Sequence, residues 1–313
     1  MASRKLQEQI ERIRQLRESN PDAATVSILR KALQDRSNLV VAEAARIAGE
    51  LHVLDLTAEL LGAYFRLFDD PVKSDPKCWG KTAIIKALTV LDYSESPPYL
   101  RGASHVQMEP VWGDHEDSAG KLRSNCILAL PQCTDLRRSD VFRHLVDRIV
   151  DPLDPVRLEA VRTIEQMSGD EATLLLRLKA RVGDSRPAVT GRVFDALLNL
   201  EPGSGLAFVS EFLKSTDIEV RDEAALAMGA SRQSSAIPIL IAAWKDTLDR
   251  DFRSVLLRAI SASREESALA FLLSLVENGP SHQAAAASEA LALHADSPEI
   301  MARVELAKGR RRE

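Results

Sequence analysis

Between Tyr64 and Arg123 the chain concentrates side chains suited to gripping a partner. All three tyrosines (Tyr64, Tyr93, Tyr99) and two of the three tryptophans (Trp79, Trp112) fall in residues 64–112. Trp, Tyr and Arg are the commonest interface anchors, because each buries a large rigid surface and keeps a polar handle. Ser96 to Ser104 predicts a short capped helix. The run His105-Val-Gln-Met-Glu109-Pro-Val-Trp112-Gly-Asp-His115-Glu-Asp117 contains Pro110 and Gly113 and predicts a loop. Such an insertion is displayed at the edge of a repeat array, where binding residues collect. The expected binding set is Trp79, Lys81, Tyr99, His105, Glu109, Trp112 and Arg123. The alternative is that Trp79 and Trp112 only fill gaps in an irregular unit.

The same segment holds metal-ligand types: His105, Glu109, Asp114, His115, Glu116 and Asp117. Their order matches no ligand spacing, and Pro110 interrupts the His105/Glu109 pair, so neither a metal nor another cofactor is expected. Cys126 and Cys133, with His144 beyond them, read as small buried apolar groups rather than ligands. Nucleotide-binding glycine motifs and His-Glu-x-x-His are absent. Gly203-Ser204-Gly205 after Pro202 reads as a turn between repeats. These signals predict a protein that is not an enzyme.

The elements that position these residues follow from a repeat. Eight times a polar residue precedes, by six places, the start of an Ala-rich helical stretch. The polar residues are Asp35, Asp75, Asp117, Asp151, Asp184, Ser215, Thr247 and Asn278; the partners six on are Val41, Lys81, Arg123, Arg157, Thr190, Arg221, Arg253 and Ala284. Later copies recur roughly every 31–34 residues and the first three about every 40, the period of a solenoid whose units cover each other's apolar faces. Apolar triplets at helical spacing follow each start: Val156/Ala160/Ile164, Val189/Val193/Leu197, Val220/Ala224/Met228 and Phe252/Leu256/Ile260. Pro155 and Pro187 suit a first helical turn, and Asp154 and Asp217 can cap one. Second amphipathic segments precede these helices at 140–150, 171–182, 236–246 and 267–277. In the first half the predicted pairs are 23–34 with 38–51, and 56–68 with 77–91.

Composition agrees. Of 313 residues 45% are apolar and only 4% aromatic, which suits helices packed on Ala and Leu and argues against a β-sandwich. The net charge of −5 gives no electrostatic reason to bind nucleic acid. Basic groups at the start (Arg4, Lys5, Arg12, Arg14, Arg17) and in the tail (Lys308, Arg310, Arg311, Arg312) read as solvated ends. No stretch has the length of a signal peptide's apolar core or a membrane span. The odd count of Cys78, Cys126 and Cys133 suggests reduced thiols, so a cytoplasmic, monomeric protein is expected.

The Asp/basic pairs at Asp75/Lys81, Asp117/Arg123 and Asp151/Arg157, each leading into an Ala-rich helix, resemble the HEAT repeat family. The stretch Asp217-Ile-Glu-Val-Arg221-Asp-Glu-Ala-Ala225 looks like its HEAT-like subset, seen also in phycobilin lyase subunits. The resemblance spans about residues 22–295. It implies an all-α, right-handed α-solenoid of about eight helix hairpins (21–295, with an irregular insertion at 92–117). An N-terminal capping helix (1–20) and a C-terminal cap with a basic tail (296–313) would close the ends. It further implies a ladder of hydrogen bonds between adjacent units, carried by Asp75, Asp117, Asp151, Arg157, Arg221 and Arg253. That ladder should break where the acid is lost (Ser215, Thr247) or the base is lost (Val41, Thr190, Ala284). The function implied is a protein-binding scaffold. Other members of the family type act on chromophores or alkylated DNA bases, and for such an enzyme Glu109 beside Trp112, with Lys81 and Arg123 near, is the place to look. A third alternative is a regulatory module that holds a small anionic ligand through Lys81 and Arg123.

Overall fold

The computed structural model describes residues 2–18 and 20–312. Met1 and Ser19 of the N-terminal segment and Glu313 of the tail lie outside the described residues, as does the Arg312 side chain. The fold is an all-α solenoid of stacked helix pairs, and the described residues contain a single two-stranded hairpin. The chain divides into two compact units, Met1–Thr163 and Ile164–Glu313.

In the first unit, an inner row is formed by α3 (Asn38–Glu50), α6 (Trp79–Val90) and α8 (Gly120–Ala129), each packed on the next. A second row comprises α2 (Ala23–Leu33), α4 (Thr57–Arg66) and α7 (Pro97–Ala103). The N-terminal helix α1 (Ala2–Gln15) covers α3, and the one-turn α5 (Pro71–Ser74) precedes α6. Strands β1 (Met108–Val111) and β2 (Asp114–Asp117) stand between α7 and α8, followed by α9 (Arg138–Arg148) and α10 (Asp154–Met167), which carries the chain out of the unit.

The second unit repeats the plan with shorter connections. Its inner row is α12 (Pro187–Leu200), α14 (Ile218–Ala230), α16 (Arg250–Ala262) and α18 (Ser281–Leu291). These pack on α11 (Gly169–Val182), α13 (Pro202–Ser210), α15 (Ala236–Asp246) and α17 (Glu266–Asn278), and α19 (Pro298–Arg312) closes against α17. The apolar triplets lie in the core except for Val220, which is only partly buried: Val189, Leu197, Ala224, Met228, Leu256 and Ile260 are all inaccessible to solvent. Small residues let the inner helices touch. Gly229 lies so close to the Ala259 main chain that a Cβ there would overlap it. This contact explains why Ala and Gly replace aromatics along the row.

Two expectations change here. Residues 202–210 are helical, so Gly203-Ser204-Gly205 is the first turn of α13 and not a turn between repeats; Pro202 supplies the helix start that the glycines obscured. Residues 108–117 form an antiparallel hairpin and not a loop, with Trp112-Gly113 at the turn. Gly113 takes φ +81°, which a side-chain-bearing residue resists, so the glycine makes the reversal rather than ending order.

The ladder is real but irregular. Arg123, 1% exposed, binds Asp151 of the next copy through two nitrogens (both 2.9 Å) and Asp117 of its own copy (2.7 Å). Asp75 accepts from the Gly80 and Lys81 amides (2.7 and 2.9 Å) and pairs with Lys81 Nζ at 3.1 Å, both side chains fully buried. Asn38 reaches the same carboxylate from the preceding copy (2.9 Å), so the rung survives the loss of a base at Val41. Arg157 donates to the Asp151 and Pro152 carbonyls (2.8 and 3.1 Å). Where Thr190 replaces the base, Lys179 of α11 pairs with Asp184 at 2.7 Å.

At Thr247 the expected break does not occur, whereas at Ser215 the shifted acid makes only local bonds. The acid has moved two places on, to Asp217 and Asp249, which cap α14 and α16. Arg221 reaches Asp249 at 2.9 Å, while the Ser215 and Thr247 hydroxyls accept from the amides of the shifted acids. Arg221 and Arg253 each have a buried Nε without a hydrogen-bond partner, but Arg221 also reaches Asp249.

Removing one member of a buried ion pair strands the other, so Arg123→Ala should cost about 3–5 kcal/mol in denaturant unfolding at neutral pH. Arg123→Lys should recover only part of this, since an ammonium cannot fork between two carboxylates. A loss below about 1 kcal/mol for the alanine variant would show that the rung is dispensable.

Candidate functional site

The expected binding residues separate into buried and exposed groups. Lys81, Tyr99 and Arg123 do not face a ligand. Lys81 and Arg123 are held by the acids of the ladder, and Tyr99 donates its hydroxyl to the Tyr93 carbonyl at 2.8 Å. His105 is half-buried: its ring meets Phe68 edge-on with centroids 4.9 Å apart, Nε2 lies 3.0 Å from Gln107 Oε1, and its carbonyl accepts from Arg123. Burial holds its pKa below the ordinary histidine value, so the ring is neutral near pH 7.

Glu109 is committed to anchoring the hairpin. One carboxylate oxygen accepts from the Lys77 amide (2.6 Å), Gln107 Nε2 (2.7 Å) and Ser118 Oγ (2.5 Å). Burial pushes the Glu109 pKa up, but these three donors outweigh burial and hold it below the usual carboxylate range. Asp117 behaves alike: burial raises it, and the Gln107 and Ala119 amides with Arg123 bring it lower. The remaining ligand-type residues are spread along the hairpin, and no group of three His, Cys, Asp or Glu among the described residues is disposed to hold a metal.

Trp112 is fully exposed at the hairpin tip, and Trp79 is 50% exposed. Trp79 opens α6 two residues after Lys77, whose amide holds Glu109 and whose Nζ lies 5.8 Å from the Trp79 ring centre. Trp79 lines a groove of about 570 Å³ enclosed by α1, α3 and α6. Leu39, Ala42 and Gly49 come from α3, Ala83, Ala87 and Val90 from α6, and Gln7, Ile10 and Arg14 from α1. Most charges at the rim are already paired: Arg14 with Glu43 (3.2 Å), Arg46 with Glu43 and Glu50, and Arg17 with Glu50 (2.7 Å). The Arg17 and Arg46 hydrogen bonds hold the Glu50 carboxyl down to about 2. Arg14 and Arg17 are thus paired across helices and are not simply solvated ends.

Sequence reading reached Trp79 but missed the groove. Its signal was a second helix-periodic stripe of small residues on α3 and α6, in which the half-buried Ala42 and Ala83 pass for core beside Gly49 and Ala87, which are buried.

Residues 174–261 and 206–292 match the family model described as HEAT repeats. The match lies in the second unit, where the period is regular; longer connections and the hairpin disrupt it in the first. No curated protein matches the chain. Among solved structures it aligns with human deoxyhypusine hydroxylase in complex with glycerol, at 17% identity over 85% of this chain and 99% of that chain (TM-score 0.32). An engineered protein aligns at 16% identity over 96% of this chain and 93% of that chain (TM-score 0.37). No helix among the described residues is long and apolar enough to cross a membrane.

The lowered Asp117 and Glu109 fix the sign of an acid effect. A carboxyl whose folded pKa is depressed stabilises fully above its unfolded value, and the contribution is lost as pH falls through the folded value. The melting temperature of the intact chain should therefore drop below about pH 4. In Glu109→Gln/Asp117→Asn it should start lower at pH 7 and fall less steeply with acid. Parallel profiles for the two proteins would show that these carboxylates contribute nothing to the pH dependence.

Proposed function

We propose that this HEAT-repeat chain is a non-catalytic protein-binding scaffold whose groove between α1, α3 and α6 takes an apolar segment of a partner. The observation that carries this reading is Trp79, half-exposed above a floor of small apolar side chains and framed by charges paired within the chain. Apart from Lys86, the charged side chains that line the groove are paired within the chain and give a charged ligand little to bind, whereas an apolar side chain entering the groove gains by leaving water. The volume suits a few anchoring side chains of a helix or extended peptide. The hairpin is pinned by Glu109 beside the start of α6, and it would add Trp112 as a second contact next to the groove. The commitment of Glu109 to three donors also favours binding over chemistry at this place.

Affinity capture from a lysate should compare the intact chain with Trp79→Ala and Trp112→Ala separately, once each shows an unchanged helical circular dichroism spectrum. A partner held through the groove should be lost with Trp79→Ala, a penalty of about 2 kcal/mol or more, and only weakened with Trp112→Ala. Retention by Trp79→Ala would remove the groove from the binding face. Turnover of a co-purifying small molecule by the chain would replace the scaffold reading with an enzymatic one.

A further inference from the structure

Beyond Arg221 the register that joins successive copies finds no acid. Arg123 meets Asp151 and Arg221 meets Asp249, and in both pairs the acid lies 28 residues beyond the arginine. The same step from Arg253 falls on Ser281, the first residue of α18, whose hydroxyl accepts from Arg311 at 3.3 Å. The Arg253 guanidinium lies 5.3 Å from the Trp244 ring centre, and its Nε is buried without a partner. Trp244, 6% exposed, also has a buried Nε1–H with no hydrogen-bond partner. Buried donors are almost always satisfied in folded proteins, so two in contact mark a place built for an acceptor.

Both residues line a groove of about 480 Å³ in the second unit. Arg250 and His282 add cationic or donor groups, Ser254 and Gln283 add polar ones, and Leu248 and Leu257 supply apolar surface. No Asp or Glu lines it. The neighbouring groove around Arg221 differs in the respect that matters, because there Asp249 already occupies the guanidinium. A planar carboxylate fits the arginine fork and the directional indole N–H, and an apolar body fits Trp244, Leu248 and Leu257. We propose that this groove binds a carboxylate carried on an apolar body, the ligand replacing the acid that the copy beginning at Ser281 lacks. This site is independent of the groove around Trp79.

The test uses the full chain with ¹⁵N-labelled tryptophan. Three indole N–H signals are expected, and Trp244→Phe identifies the relevant one. Hexanoate should move that signal saturably while hexanol does not, and Arg253→Gln should weaken hexanoate about ten-fold. The capped peptide acetyl-Leu-Asp-Leu-amide, set against its Asn counterpart, separates the sources: a response to the Asp peptide assigns a protein side chain, and a response to hexanoate alone assigns a free acid. Ser281→Asp supplies the missing acid within the chain, and should raise the melting temperature and abolish hexanoate binding. The proposal is overturned if neither carboxylate gives a saturable shift, or if hexanol or inorganic phosphate shifts the signal as much as hexanoate. Unchanged hexanoate binding by Ser281→Asp would overturn it as well.

Discussion

The interaction on which the first unit most depends is the buried rung from Asp117 through Arg123 to Asp151. Apolar stripes of Ala, Leu and Val hold helices together but are tolerant of sliding, because one methyl packs nearly as well as the next. A guanidinium removed from water is not tolerant. It must meet its carboxylates at hydrogen-bond distance or strand charge in the interior. Arg123 thereby fixes α8 against the turn before α10. The same side chain takes the His105 carbonyl, and Asp117 holds the Gln107 and Ala119 amides, so the hairpin is tied to the rung as well.

This constraint explains how the repeat varies. What is maintained is a donor for the acid and not the identity of a position. Asn38 stands in for a base at the first copy, Lys179 serves Asp184 from the neighbouring helix, and Asp249 takes over where Thr247 has lost the acid. Each substitute sits within side-chain reach of the same turn. Arg253 is where substitution stops: no acid follows at the usual step, and the charge is left facing a groove. The first unit departs differently. Its longer connections make room for the hairpin, and α1 lies over α3 to wall the groove around Trp79. One device, a helix pair with a charged turn, thus yields two different surfaces in the two units.

The helices were legible in the sequence because each carries its own local signals. The apolar residues of α12 return at helical spacing after Pro187, and Asp217 caps α14 as its position suggests. The exceptions are equally physical. At α13 the glycines masked a helix whose start Pro202 supplies, and at 108–117 Pro110 and Gly113 read as loop signals although the glycine makes the turn of a local hairpin. For the site, residue type alone singled out Trp79 and Trp112, yet it placed the buried Lys81, Tyr99 and Arg123 beside them. Exposure is a property of the packed assembly, and a basic residue at a helix start looks the same whether it faces water or an aspartate.

The sequence by itself determined the period, the helix pairs and the chemical partners available to each rung, since these follow from spacing and side-chain type. Only the tertiary structure decided which cation met which acid, which stripe of small residues became core and which became the floor of a groove, and that Arg253 Nε and Trp244 Nε1 were left without hydrogen-bond partners. Those outcomes depend on distances of a few ångströms between segments some thirty residues apart, and burial turns such distances into the difference between a satisfied charge and an open site.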